Sequence, residues 1–207
     1  MNAEKTPYKA GFVAIIGAPN AGKSTFLNHV LGEKVAAVTA KPQTTRHRIL
    51  GVMTEEQSQI IFWDTPGLHE PHQGLLNREM MNRALAALED SDLALWVVDA
   101  LHRGREHQTA LEVAAGAGKR PLIVALNKVD ALPDKSLLLP LIQEIEAAAA
   151  PKVIVPVSAK KGDGIKTLLA EIEKLLPESP PFYPEDTLTD QPERVIAAEM
   201  VREAVFK

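Results

Sequence analysis

The chain has 207 residues, no cysteine, and 27 acidic against 23 basic side chains, for a net charge of −4. That length suits one ordinary domain plus an appendage, and without cysteine there are no disulfides or thiolate metal sites. The acidic balance gives no electrostatic basis for nucleic-acid binding by this chain; with no apolar run near 20 residues and no signal-peptide core at the N-terminus, a cytoplasmic protein is expected.

An apolar run at 12–16 leads into Gly17-Ala18-Pro19-Asn20-Ala21-Gly22-Lys23-Ser24, and apolar residues at helical spacing follow to Leu31. Strand, glycine-rich loop and helix in that order make a phosphate-binding loop. Gly17 and Gly22 can take positive φ, so that amide N–H groups at a helix N-terminus turn towards an anion. Gly17, Asn20, Ala21, Gly22, Lys23, Ser24 and Thr25 are expected to line the nucleotide, Lys23 as a charge on its phosphates and Ser24 as a magnesium ligand.

Residues 32–48 carry no periodicity and read as a long loop over the phosphate site. Strands are predicted at 48–54 and 59–64, and the short link between them makes this pair antiparallel. A loop at 68–76 and a helix at 77–89 follow. Strands at 93–99, 121–126 and 152–157 then alternate with helices at 105–115, 134–149 and 164–176. Nearly continuous apolar strands suit a sheet covered on both faces. The expected fold is a six-stranded, doubly wound α/β sheet, mostly parallel with one antiparallel edge strand, and its site lies at the carboxyl ends of the strands. Residues 1–176 form this domain, 177–192 a proline-rich linker, and 193–207 a last helix whose stripe of Val195, Ile196, Met200, Val201 and Val205 should be buried.

Three further motifs end predicted strands. Asp64-Thr65-Pro66-Gly67 places a carboxylate to hold magnesium through water and offers the Gly67 N–H to a terminal phosphate. In Asn127-Lys128-Val129-Asp130, the Asp130 carboxylate matches the N1–H and exocyclic N–H of guanine, and adenine would leave it unpaired. Asn127 would tie this loop to the phosphate loop, and the Lys128 stem would lie on the purine face. Ser158-Ala159-Lys160 completes the set, with the Ala159 N–H directed to the guanine O6. GTP and GDP with Mg2+ are the implied ligands, and an ATPase or kinase is disfavoured by Asn127, Lys128 and Asp130.

These motifs, with Lys41-Pro42-Gln43-Thr44-Thr45-Arg46-His47-Arg48 and the run 182–203, closely resemble the Era GTPases. The resemblance covers essentially the whole chain and implies the P-loop GTPase fold. It implies a slowly hydrolysing switch in small-subunit assembly and 16S rRNA maturation, with 193–207 as the first helix of an RNA-binding KH domain. The alternative is a nucleotide-dependent assembly scaffold with negligible hydrolysis. The small ribosomal subunit and 16S rRNA are the implied partners, with peripheral inner-membrane association also implied. A monomer is expected. No Gly residues stand three apart, so a KH-type Gly-x-x-Gly loop is missing and no specific RNA binding is expected of this chain.

The resemblance maps the switch threonine, a magnesium ligand in the GTP state, onto Thr45, with Thr44 as the other register. Without a γ-phosphate, residues 34–46 are expected to be loose. Leu68 stands where Ras-like enzymes carry the water-orienting glutamine. That departure resembles the branch of GTPases in which potassium, held partly by the asparagine corresponding to Asn20, supplies the missing positive charge. Asn20, Lys23, Thr45 and Gly67 are thus the catalytic candidates, and Ser24, Thr45 and Asp64 the metal ligands. Arg46 and Arg48 are candidate fingers in cis and His69 a candidate base. His69 and His72 lack a third ligand for zinc.

Overall fold

The computed structural model describes residues 7–38, 49–68, 75–102, 104–118 and 120–206. In chain order they form β1 (Lys9–Ile16), α1 (Lys23–Leu31), β2 (Ile49–Thr54), β3 (Ser58–Asp64), α2 (Leu75–Glu89), β4 (Leu93–Asp99) and α3 (Arg105–Ala115). There follow β5 (Leu122–Asn127), α4 (Leu138–Ala149), β6 (Val153–Pro156), α5 (Ile165–Leu175) and α6 (Glu193–Phe206). The strands lie in the order β2-β3-β1-β4-β5-β6. Every neighbouring pair is parallel except β2 with β3, as the sequence predicts.

Each central strand feeds two cores because successive side chains leave opposite faces. Ala14 and Ile16 of β1 pack with Trp63 and Trp96 under α2, α3 and α4. Val13 and Ile15 pack with Phe26 and Leu27 of α1 and with Ile165, Leu168 and Ile172 of α5. With both faces covered, near-continuous apolar strands are required, and the carboxyl ends of β1, β3, β4 and β5 become the exposed edge at which a ligand can enter.

The differences from expectation have local causes. β1 starts before its apolar run because Lys9 and Ala10 pair with Ser58 and Gln59. The helix predicted at 134–149 is split: Asp134 caps a short 3-10 turn at Lys135–Leu137 by accepting the Ser136 N–H at 2.8 Å, and α4 follows. β5 runs on to Asn127, so the second motif begins inside the sheet.

The predicted linker is a strap fixed along the sheet. The Ala10 N–H donates to Pro177 O at 3.2 Å, and the Val52 N–H to Leu188 O at 2.8 Å. The Thr189 hydroxyl bonds Leu50 O. Between these points Gln59, which is fully buried, accepts the N–H groups of Phe182 and Tyr183 and donates to Tyr183 O. α6 ends at Phe206, and its predicted stripe is covered only in part: Val195, Ile196 and Met200 are half-buried. Val201 and Val205 are 64% and 72% exposed, whereas Glu199 and Glu203 are 2% and 3% exposed. Glu203 is held by Lys34 and by the Val38 N–H of the domain, and Glu199 by Arg202 of the same helix.

Candidate functional site

The loop between β1 and α1 is shaped by three left-handed residues, Gly17 (φ 149°), Asn20 (φ 59°) and Gly22 (φ 102°). At the two glycines a Cβ has no room. At Gly17 it would lie 2.3 Å from Val97 O, and at Gly22 2.1 Å from Asn127 Nδ2. α1 therefore starts at Lys23 with its N-terminus bare: its first turn holds no acid, and Gly22 provides no side-chain cap. The amide N–H groups and helix dipole of such a terminus favour an anion.

Lys23 is buried and folds back over the loop, donating to Gly17 O at 3.0 Å and Ala18 O at 2.9 Å. Burial lowers its pKa to about 8, partly opposed by the Asp64 charge. Ser24 donates its hydroxyl to Asp64 Oδ2 at 2.7 Å. Asp64 is fully buried, and burial raises its pKa to about 6 against the Lys23 charge and the Ser24 bond. Its other oxygen, Oδ1, is buried without a hydrogen-bond partner. Two oxygen donors side by side, one a carboxylate with an orphaned oxygen, fit a hard divalent cation such as Mg2+.

Thr65 anchors the third-strand motif by donating its hydroxyl to Ile15 O at 2.6 Å. Gly67 sits so close that a Cβ would meet the Pro19 Cα at 2.7 Å, and the Leu68 N–H donates to Gly17 O at 3.0 Å. Leu68 itself is fully buried in the core beneath α2. At that position no side chain is presented to a reacting water.

Asn127 binds three loops together. Its Nδ2 donates to Ala21 O at 2.8 Å, and its Oδ1 accepts the Ala159 N–H at 2.9 Å. The first contact is the predicted tie to the phosphate loop. The second differs from expectation, because the amide assigned to a purine oxygen is given to Asn127. Lys128, in a left-handed conformation (φ 67°), is pinned by Asp99 at 2.7 Å, which holds its stem beside the loop. Asp130 has its pKa lowered first by a hydrogen bond from the Ser158 hydroxyl, and Lys161 lies 3.9 Å away. It is thus kept as an ionised acceptor. Ser158 is fully buried, and Lys160 follows on the exposed side of its turn.

The structure therefore gathers Gly17 to Thr25, Asp64, Gly67, Asn127, Lys128, Asp130 and Ser158 to Lys160 at one edge of the sheet. Thr44, Thr45, Arg46, Arg48, His69 and His72 lie outside the described residues. Of the segment 34–46, residues 39–46 also lie outside the described residues; at its start Asn28 Oδ1 accepts the Val35 and Ala36 N–H groups at 3.0 and 2.9 Å. Two residues escaped the sequence reading. Asp99 carried a signal, a lone acid closing an apolar strand at the ligand edge; Asn28, one polar residue on a surface helix, carried none.

A family profile for 50S ribosome-binding GTPases matches residues 12–128. GTPase Era of Pseudomonas putida is 45% identical over 205 residues, 99% of this chain and 68% of the relative; that of Stenotrophomonas maltophilia is 42% identical over the same length. A crystal structure of Era with MgGDPNP and nucleotides 1506–1542 of 16S ribosomal RNA superposes with a TM-score of 0.85 at 43% identity, covering 95% of this chain and 66% of that one. An Aquifex aeolicus Era bound to GDP and aluminium fluoride gives 0.84, also at 43% identity, covering 94% and 66%. The chain thus spans about two thirds of the length of the proteins it matches.

Proposed function

The chain belongs to the Era family of GTPases, and from that premise we propose that it is a slow GTP-hydrolysing switch serving assembly of the small ribosomal subunit and maturation of 16S rRNA. The observation that carries the ligand is the Asn127 bridge, which fixes the phosphate loop, the Asp130 loop and the Ser158 loop in one frame. The bare N-terminus of α1 receives phosphates, and Lys23 neutralises charge on them. Asp130, ionised and hydrogen-bonded, accepts the two donors on the edge of guanine. Ser24 and Asp64, joined by Thr45 in the triphosphate state, would hold Mg2+, which would supply positive charge against the phosphate oxygens. Gly67 then offers its N–H to the terminal phosphate. The ribosomal assignment follows the 16S rRNA in the Era complex, a more specific likeness than the broad 50S profile.

Hydrolysis is slow because Leu68 is buried where a water-orienting side chain would have to stand. We assign the compensating positive charge to K+, held partly by Asn20. The same Leu68 favours the second reading, a scaffold that binds GTP and scarcely turns it over. Displacement of a fluorescent GDP by GTP but not by ATP tests the ligand. Single-turnover hydrolysis in potassium against sodium at equal ionic strength, with and without small ribosomal subunits, tests the switch. A rate indifferent to both additions would favour the scaffold. The protein is expected in the cytoplasm or peripherally at the inner membrane; among the described residues no helix is long and apolar enough to cross a membrane.

A further inference from the structure

β4 and β5 end side by side: Asp99 is the register partner of Asn127, and the Ala100 N–H donates to Asn127 O at 3.0 Å. The last residue of β4 is thereby fixed beside the loop that opens at Lys128. Asp99 is 8% exposed, and a carboxylate so nearly withdrawn from water has to be satisfied by the protein. Its Oδ1 accepts the Leu101 N–H at 2.9 Å, which sets the orientation of the carboxylate, and its Oδ2 accepts from Lys128 Nζ at 2.7 Å. His102 Nδ1 lies 3.3 Å from the same Oδ2, with its side chain 80% exposed.

Lys128 is therefore held at both ends. Its backbone is left-handed (φ 67°), a conformation that a residue other than glycine keeps only where its surroundings impose it. Its ammonium is tied to Asp99. A lysine with a free head would lose rotamer freedom on receiving a flat ring against its stem. Here that ordering is complete before any ligand arrives, and contacts ordered in advance bind more tightly because the cost is not met on binding.

We propose that Asp99 is the positioning residue of the base site: by anchoring Lys128 Nζ it holds the lysine stem as a fixed shelf for the face of a purine, and so sets affinity for guanine nucleotides without touching them. The inference rests on the guanine-nucleotide reading above. It divides base recognition into two parts. The Asp130 carboxylate meets the edge of guanine, where purines differ, and the pair of Asp99 and Lys128 serves the face, which purines share.

The test measures displacement of fluorescent GDP from the whole 207-residue chain, in magnesium buffer, by GDP and by inosine diphosphate, which lacks the exocyclic amino group. Asp99→Asn keeps the shape of the side chain and its bond to Leu101 and removes the charge that holds Lys128. Affinity for both nucleotides is expected to fall about tenfold, the scale of ordering one long side chain, with their ratio unchanged within about twofold. Lys128→Met keeps an unbranched stem without the ammonium and should cause a similar loss, and the double variant should lose no more than either single one. His102→Ala should stay within about twofold of wild type. Should Asp99→Asn fold poorly, Lys128→Met decides alone, and wild-type affinity in it overturns the proposal. Losses that add in the double variant would show that Asp99 does not act through Lys128. A collapsed ratio of GDP to inosine diphosphate would show that Asp99 merely supports the whole loop, Asp130 included, and either result overturns the proposal. A wild-type chain that binds GDP no better than ADP would overturn the guanine-nucleotide reading and this inference with it.

Discussion

At the scale of single residues, the site depends most on Asn127, because one side chain closes two otherwise unpaired backbone groups 138 positions apart in sequence, Ala21 O and the Ala159 N–H. Asn127→Ala leaves both without a partner in a buried place, at roughly 1–3 kcal/mol each. GDP affinity should fall about 10²-fold and the melting temperature by several degrees, read by nucleotide titration and calorimetry. A variant with wild-type affinity would show that the loops hold their frame unaided. Asp64 supports a second prediction, with a definite sign. Its carboxyl titrates near 3.8 when unfolded and near 6 when folded, so between these values the unfolded chain has lost a proton that the folded chain keeps. Stability of the metal-free protein contributed by this group therefore falls as pH rises through that window. Asp64→Asn does not titrate. In chelator, the melting temperature of the variant relative to wild type should climb by roughly 5–10 °C from pH 4 to pH 6.5 and level off above. A difference independent of pH would remove burial as the cause.

At the scale of elements, the strap depends on Gln59. Both functions of its amide are used, Oε1 on two N–H groups and Nε2 on Tyr183 O and the Thr54 hydroxyl. Gln59→Leu is similar in size and leaves two donors and an acceptor of the strap unpaired, so a loss of about 2–4 kcal/mol is expected. The residue lies at the start of β3, second after Ser58, whereas Asp64 ends it, about 17 Å away at strand rise. GDP affinity should consequently change less than twofold, while amide exchange at 182–189 accelerates. Fast exchange in the wild type would show the strap to be loosely held. The contrast between strap and sheet also shows what a sequence discloses. The six strands and the phosphate loop were legible because period, motif and flank agree at β1 and α1, and the antiparallel edge followed from a link too short to cross over. The strap was not, because its anchors are backbone groups and one glutamine, which leave no periodic trace. α6 was placed to within a residue, but Val201 and Val205 of its stripe stay exposed while Glu203, paired with Lys34 and hydrogen-bonded by the Val38 amide, is buried.

At the scale of the whole molecule, the question is which activities the 207 residues can carry by themselves. Nucleotide binding needs only the edge where β1, β3, β5 and β6 end, and all of its described ligands are present there. Binding of single-stranded RNA needs cations along a groove and a loop able to grip the backbone. The net charge is −4, no two glycines stand three apart, and the exposed face of α6 offers Val201 and Val205 with a single basic residue, Arg194. The Lys34 ammonium is engaged by Glu203, and that of Lys128 by Asp99. Affinity for a single-stranded segment from the 3′ end of 16S rRNA should therefore stay in the nonspecific range, about 10⁻⁵ M or weaker near physiological salt, with no preference over a scrambled sequence. Fluorescence anisotropy with the two RNAs, in GDP and in GDPNP, measures this directly. Submicromolar binding with sequence preference would place an RNA site on the nucleotide domain itself.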